Sequence, residues 1–237
     1  PHLADVPGEV IPFGASVADV EAALRSPDPD IVPSAAGVRR GVYTGVCNGA
    51  MLPVLQALFE VLAEGRRERP DLFTRLRLDF VGTSYAPHAA PVVLPLAEAV
   101  GVADAVTERT DRVPFLSALH LQANADFLLL PGTTDADYTA SKLYPYVMAQ
   151  RPILAAFRSS SSLVDAFEAT RAGALAAFDV DPTEPTFRRA LLDKWTALLE
   201  ALPYTPEIDW AAVEPYTARE MTRRQVEVFD AVLRQRA

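Results

Sequence analysis

Short apolar runs alternate along the chain with longer stretches in which apolar positions recur every three or four residues. Gly41-Val-Tyr-Thr44, Leu76-Arg-Leu-Asp-Phe-Val81, Ala105-Val-Thr107, Asp126-Phe-Leu-Leu-Leu130, Pro152-Ile-Leu-Ala-Ala156 and Gly173-Ala-Leu-Ala-Ala-Phe178 read as strands. Between them lie helical patterns, clearest over 51–63, where Met51, Leu55, Leu58, Phe59 and Leu62 share one stripe. Further helices are predicted over 115–123, 187–202 and 218–235; in the last, Met221, Val228, Phe229 and Val232 fall on one face with Arg and Gln opposite. Strands joined through helices need right-handed crossovers, so the pattern predicts an α/β chain with one Rossmann-like, doubly wound parallel sheet. The strand ends at Thr44, Val81, Leu130 and Ala156 are expected to open onto one cleft, where sheets of this kind bind ligands.

The two ends differ from the middle. Residues 25–34 carry Pro27, Pro29 and Pro33 among Asp and Ser, a composition that resists helix and strand and suits a surface linker. With 237 residues and 50% hydrophobic content, the chain can bury a proper core. Its 22 basic and 31 acidic residues give a net charge of -9, which repels phosphate backbones and anionic lipid in the absence of a basic patch. The densest basic cluster, Arg66-Arg-Glu-Arg69, is interrupted by a glutamate, so nucleic acid is not an expected partner. The single cysteine, Cys47, forms no internal disulfide and fits a reducing compartment. No run of about 18 apolar residues suggests a transmembrane segment, and no signal peptide precedes the first strand, so a cytoplasmic location is expected.

The common catalytic signatures are missing: there is no GxGxxG, Walker A, GxSxG or CxxC pattern. His2, His88 and His120 lie far apart, with no i, i+4 pair for a metal. No nucleophile and base can be paired, so no catalytic residue is assigned, and neither a metal nor a cofactor is expected.

One stretch carries more information. Ala125-Asp-Phe-Leu-Leu-Leu-Pro-Gly-Thr-Thr134 reads as a strand ending in a small polar loop. After it, Tyr138-Thr-Ala-Ser-Lys-Leu-Tyr-Pro-Tyr-Val-Met-Ala-Gln-Arg-Pro-Ile-Leu-Ala-Ala156 reads as a polar turn, a short helix and a buried strand. This order resembles the C-terminal, donor-binding half of GT-B glycosyltransferases, particularly the large group that retains anomeric configuration (glycosyltransferase group 1, family 4-like). The resemblance covers almost the whole chain. It implies a hinge or linker over 1–39, a Rossmann-like nucleotide-sugar-binding domain over 40–202 and a C-terminal crossing helix over 203–237. Glu9-Val-Ile-Pro-Phe-Gly-Ala-Ser16 resembles the short strand and turn at that hinge. Because the sequence starts at Pro1, a missing N-terminal GT-B domain is the expected partner, and a UDP- or GDP-linked sugar the expected ligand.

The same resemblance assigns a binding site. In Thr44-Gly-Val-Cys-Asn-Gly49, Gly45 and Gly49 would let backbone approach phosphate. Relatives commonly carry an Arg and a Lys in this loop, whereas Val46, Cys47, Asn48 and Ala50 stand here. Arg112, Val113 and Pro114 match the segment that cradles the nucleobase, and Thr133 and Thr134 would face the distal phosphate and sugar. Ser141, Lys142 and Leu143 match a family motif whose lysine lies near phosphate. That motif continues with a glutamate that grips the ribose, and its position is Pro145, from which the helix is expected to start. The leading expectation is the donor half of a retaining glycosyltransferase, inactive by itself. A degenerate, non-catalytic binding module and a nucleotide-sugar epimerase-like domain are the alternatives.

Overall fold

The computed structural model describes residues 8–11, 13–26, 36–135 and 141–235. Its strands are β1 (Arg39–Thr44), β2 (Leu76–Val81), β3 (Val106–Arg109), β4 (Phe127–Pro131), β5 (Ile153–Arg158) and β6 (Gly173–Phe178). The helices are α1 (Val17–Arg25), α2 (Leu52–Glu68), α3 (Pro70–Phe73), α4 (Leu94–Val100), α5 (Phe115–Ala123), α6 (Leu143–Met148), α7 (Leu163–Thr170), α8 (Pro185–Ala201), α9 (Trp210–Val213) and α10 (Ala218–Gln235). All six strands are parallel, in the order β3-β2-β1-β4-β5-β6. The order reverses between β1 and β4, which makes the carboxyl ends of those strands the natural ligand position.

Period-two alternation along each strand builds a three-layer molecule. Tyr43, Phe127 and Leu129 pack with α2, α3 and α8, whereas Val42, Leu128 and Leu130 pack with α1, α5, α6 and α7. The predicted stripe Met51, Leu55, Leu58, Phe59 and Leu62 is buried. In the first layer Trp195 is fully buried and meets Phe73 and Phe127 edge-on, with ring centroids 5.5 and 6.3 Å away. Among the described residues, no helix is long and apolar enough to cross a membrane.

Three local expectations change. The third strand begins at Val106, because 103–105 forms a 3-10 turn in which Ala105 is buried. The hinge and linker region contains the nine-residue helix α1, whose Val20 and Ala23 bury against the core layer that includes α5. Pro27, Pro29 and Pro33, and the turn residues 138–140, lie outside the described residues. Helix α6 starts at Leu143, two residues before Pro145. Pro145 then occupies the third helical position, where an N–H would have no intrahelical acceptor, so proline costs no hydrogen bond. Tyr144 accepts the helical conformation before proline and stacks on Tyr216 with centroids 4.0 Å apart and planes at 11°.

Truncation of Trp195 to Ala should lower stability by about 3–5 kcal/mol, as for other buried aromatics. Urea unfolding should show a lower midpoint with an unchanged slope; a loss under 1 kcal/mol would mean the first core layer is not packed as described.

Candidate functional site

The β1–β4 ladder is brief: Gly41 and Val42 pair with Phe127 and Leu128, and beyond them the strands part. Gly45 N–H bonds Val81 O on the β2 side at 2.8 Å, so the Thr44 N–H faces the side where β4 has left. Buried backbone donors need a partner. The Tyr146 hydroxyl supplies it at 2.8 Å, binding α6 to the end of β1.

The parting leaves a cavity of about 480 Å³. Its walls come from Thr44 and Gly45 after β1, Val81 and Gly82 after β2, Arg112 and Val113 after β3, and Ser141, Lys142, Pro145 and Tyr146 at α6. Phe115, Ala118, Leu119 and Gln122 add one face of α5, at i, i+3, i+4 and i+7, and Phe13 and Gly14 close another side. That last wall is held by the C-terminal segment, because Ala15 N–H bonds Tyr216 O and Ala218 N–H bonds Ala15 O.

Two glycines shape the rim. Gly45 has φ +132°, and a Cβ there would strike the Lys142 side chain, with Nζ at 2.8 Å. Gly82 has φ +76°, a conformation that favours glycine, while a Cβ there would make only ordinary contact with Arg112 at 3.6 Å. Lys142 therefore runs across the bare Gly45 backbone, and its ammonium lies 5.2 Å from the Tyr43 ring centroid, within cation–π range. Among the described residues it makes no ion pair. Burial holds the Lys142 ammonium below its ordinary range. The neighbouring Cys47 thiol is pushed up to about 12, by burial first and by the negative charge of Glu108 second, so it is not a thiolate at neutral pH.

Of the residues singled out in the sequence, Gly45, Arg112, Val113, Ser141 and Lys142 come together in this cavity. The Arg112 guanidinium lies 5.4 Å from the Tyr85 ring centroid. Gly49 and Pro114 do not line the cavity, and Leu143 is fully buried in the core. Thr133 is buried and its hydroxyl accepts the Asp135 N–H at 3.3 Å, whereas Thr134 donates its N–H and hydroxyl to Ala50 O at 3.0 and 3.3 Å. Both threonines thus brace loops. The cleft expected across four strand ends is lined by Thr44 and Val81, without Leu130 or Ala156. Sequence reasoning missed Gln122, Tyr146, Phe115 and Phe13. The spacing of Gln122 from Phe115, Ala118 and Leu119, on the face of α5 that buries, was an available signal.

No protein-family model matches the chain, and no curated protein matches it in sequence. Solved structures do match in fold. A glycosyltransferase from Rickettsia africae superposes with TM-score 0.63 at 15% identity, over 95% of this chain and 57% of that one. A UDP-forming α,α-trehalose-phosphate synthase from Burkholderia xenovorans gives 0.59 at 11% identity, over 94% and 52%. A Listeria monocytogenes protein named for UDP-N-acetylglucosamine 2-epimerase activity gives 0.52 at 12%, over 94% and 53%. The chain has the fold of one GT-B half. It spans about half the length of these structures. In this GT-B half the cavity lies where the strand order reverses.

Gly45→Ala should displace Lys142 and force a strained backbone, costing about 1–3 kcal/mol of stability; unchanged thermal unfolding would sink this account of the glycine. Tyr146→Phe should leave the Thr44 donor unpaired and cost about 1–3 kcal/mol, with faster hydrogen exchange at the Thr44 amide. Lys142→Met removes a charge that burial disfavours and should raise stability at pH 7 by about 0.5–1 kcal/mol. The folded-state pKa of Lys142 is lowered, so the unfolded chain binds more protons between that value and 10.5. Wild-type stability therefore rises across that window, and the advantage of Lys142→Met should shrink there. Unfolding curves at pH 7 and pH 10 test the sign.

Proposed function

We propose that this chain binds a UDP- or GDP-linked sugar in the cavity beside β1 and serves as the donor half of a retaining glycosyltransferase. The observation that carries the reading is electrostatic. The chain has a net charge of -9, yet among the described residues its switch-point cavity is lined by Arg112 and Lys142 and by no carboxylate. A partly desolvated ammonium with no ion pair among the described residues favours an anion, and a nucleoside diphosphate suits both the charge and the cavity size. In the transfer, the bond from the sugar C1 to the diphosphate oxygen breaks, a bond from C1 to the acceptor oxygen forms, the acceptor hydroxyl gives its proton to the departing diphosphate, and Lys142 offsets the charge that develops on that diphosphate. Ser141 and the Gly45 backbone border the same space.

The other half of the enzyme would supply the acceptor site. The exposed apolar face of α10, with Val226, Phe229 and Leu233 at 50%, 57% and 66% exposure, supports a domain packed against it. In this reading, 40–202 is the nucleotide-sugar domain and 203–237 runs back across the hinge. The epimerase-like alternative is less favoured, because among the described residues no acidic or histidine side chain lines the cavity. A binding module that has lost donor contacts is supported by Pro145, which lines the cavity at the position of the ribose-gripping glutamate in relatives.

Calorimetric titration with UDP, GDP, ADP and inorganic pyrophosphate tests the reading. UDP or GDP should bind; Lys142→Ala should weaken binding with strong salt dependence. Pro145→Glu should tighten it about tenfold or more, as a charged hydrogen bond would. Nucleotide binding should also fall as pH rises through the lowered pKa of Lys142, beginning below 10.5. No sugar should be transferred by the chain alone. If neither the wild type nor Pro145→Glu binds any of these ligands, the donor-site reading fails.

A further inference from the structure

The cavity floor holds a buried carboxamide that neither the resemblance nor the fold comparison assigns. Gln122 is 5% exposed and sits on the face of α5 that lines the cavity. Its Nε2 donates to Thr44 Oγ1 at 2.8 Å. Its Oε1 is buried and has no hydrogen-bond partner among the described residues. The Thr44 backbone donor is already committed to the Tyr146 hydroxyl. Around it, Val81, Ala118 and Leu119 contribute only apolar side chains to the cavity wall. A buried amide oxygen without a donor is costly, and native structures rarely keep one without a reason.

We propose that Gln122 determines ligand specificity by accepting a hydrogen bond from an N–H group of the ligand at the cavity floor. This rests on the nucleotide reading above, in which the group is the ring N–H of a uracil or guanine base. Lys142 and Arg112 then attract any anion of suitable size, whereas Gln122 distinguishes a nucleotide from a bare diphosphate. A site that hydrogen-bonds a particular N–H rejects an analogue lacking it, since the acceptor is then buried unpaired. Gln122 also ties α5 to the end of β1 through Thr44.

The test is a cycle between protein and ligand, read by calorimetry on the full chain. Wild type, Gln122→Met and Gln122→Glu are titrated with UDP, with UDP methylated at N3 and with inorganic pyrophosphate. In the wild type, methylation should weaken binding about five- to tenfold, the scale of one hydrogen bond. Gln122→Met should weaken UDP by a similar factor, leave pyrophosphate unchanged and erase the effect of methylation. Gln122→Glu keeps an acceptor and should keep the preference for unmethylated UDP, which a purely structural role would not require. The proposal is overturned if UDP and its methylated form lose equally in Gln122→Met, or if pyrophosphate weakens as much as UDP. If wild type binds pyrophosphate but UDP no more tightly, the Gln122 proposal fails while the anion site stands. If it binds neither, the donor-site reading fails with it.

Discussion

The hydrogen bond from the Thr44 backbone to the Tyr146 hydroxyl is the contact on which the site depends. A doubly wound sheet must reverse its strand order somewhere, and here β1 and β4 share only a short ladder before they separate. The separation opens space for a ligand but strips a buried N–H of its strand partner. A side chain from α6 restores the bond and holds that helix against the end of β1. Lys142, immediately before α6, and Pro145, within it, are positioned as a consequence. The loops on either side are tied in the same manner. Cys47 N–H bonds Thr83 O at 3.0 Å, and Thr134 bonds Ala50 O, so the rim is a set of mutually braced backbones.

On that rim the electrostatics are deliberate in effect. Glu108, the acidic group nearest in influence to Cys47, is occupied elsewhere: its carboxylate accepts the Val93 and Leu94 N–H groups, each at 2.8 Å, and the Thr83 hydroxyl at 2.6 Å. It thereby satisfies the open end of α4. Lys142 keeps no acidic partner among the described residues and rests on the face of Tyr43. A lysine stored in this way disfavours its own charged form and so gains more from an incoming anion than a hydrated surface lysine would. Pro145 sits in α6 without disturbing it, because proline is tolerated in the first helical turn.

Much of this was legible in the order of residues. The runs Leu76–Val81 and Gly173–Phe178 form strands with the expected bounds, and the helices over 115–123 and 218–235 also have the expected bounds. Their alternation requires a parallel sheet, since only helical crossovers can return the chain to the same end. Gly45, Arg112, Val113, Ser141 and Lys142 were candidates through the resemblance to GT-B donor halves, at positions that follow a strand or open a helix. What the chain order could not state is which neighbours arrive from elsewhere. Thr133 and Thr134 have the chemistry of ligand contacts, and only the fold brings Ala50, 84 positions away, to accept from Thr134. Leu143 follows the lysine in sequence but points into the core, as helical geometry places successive side chains about 100° apart. Gln122 shows the reverse: a polar residue on an apolar helix face is ambiguous until Thr44, 78 positions away, takes one end of the amide and leaves the other unpaired. Sequence determined the elements and their order because local periodicity encodes burial. The tertiary structure alone decided which polar groups were satisfied and which remained unpaired, because hydrogen-bond partners in the site come from strands and helices distant along the chain.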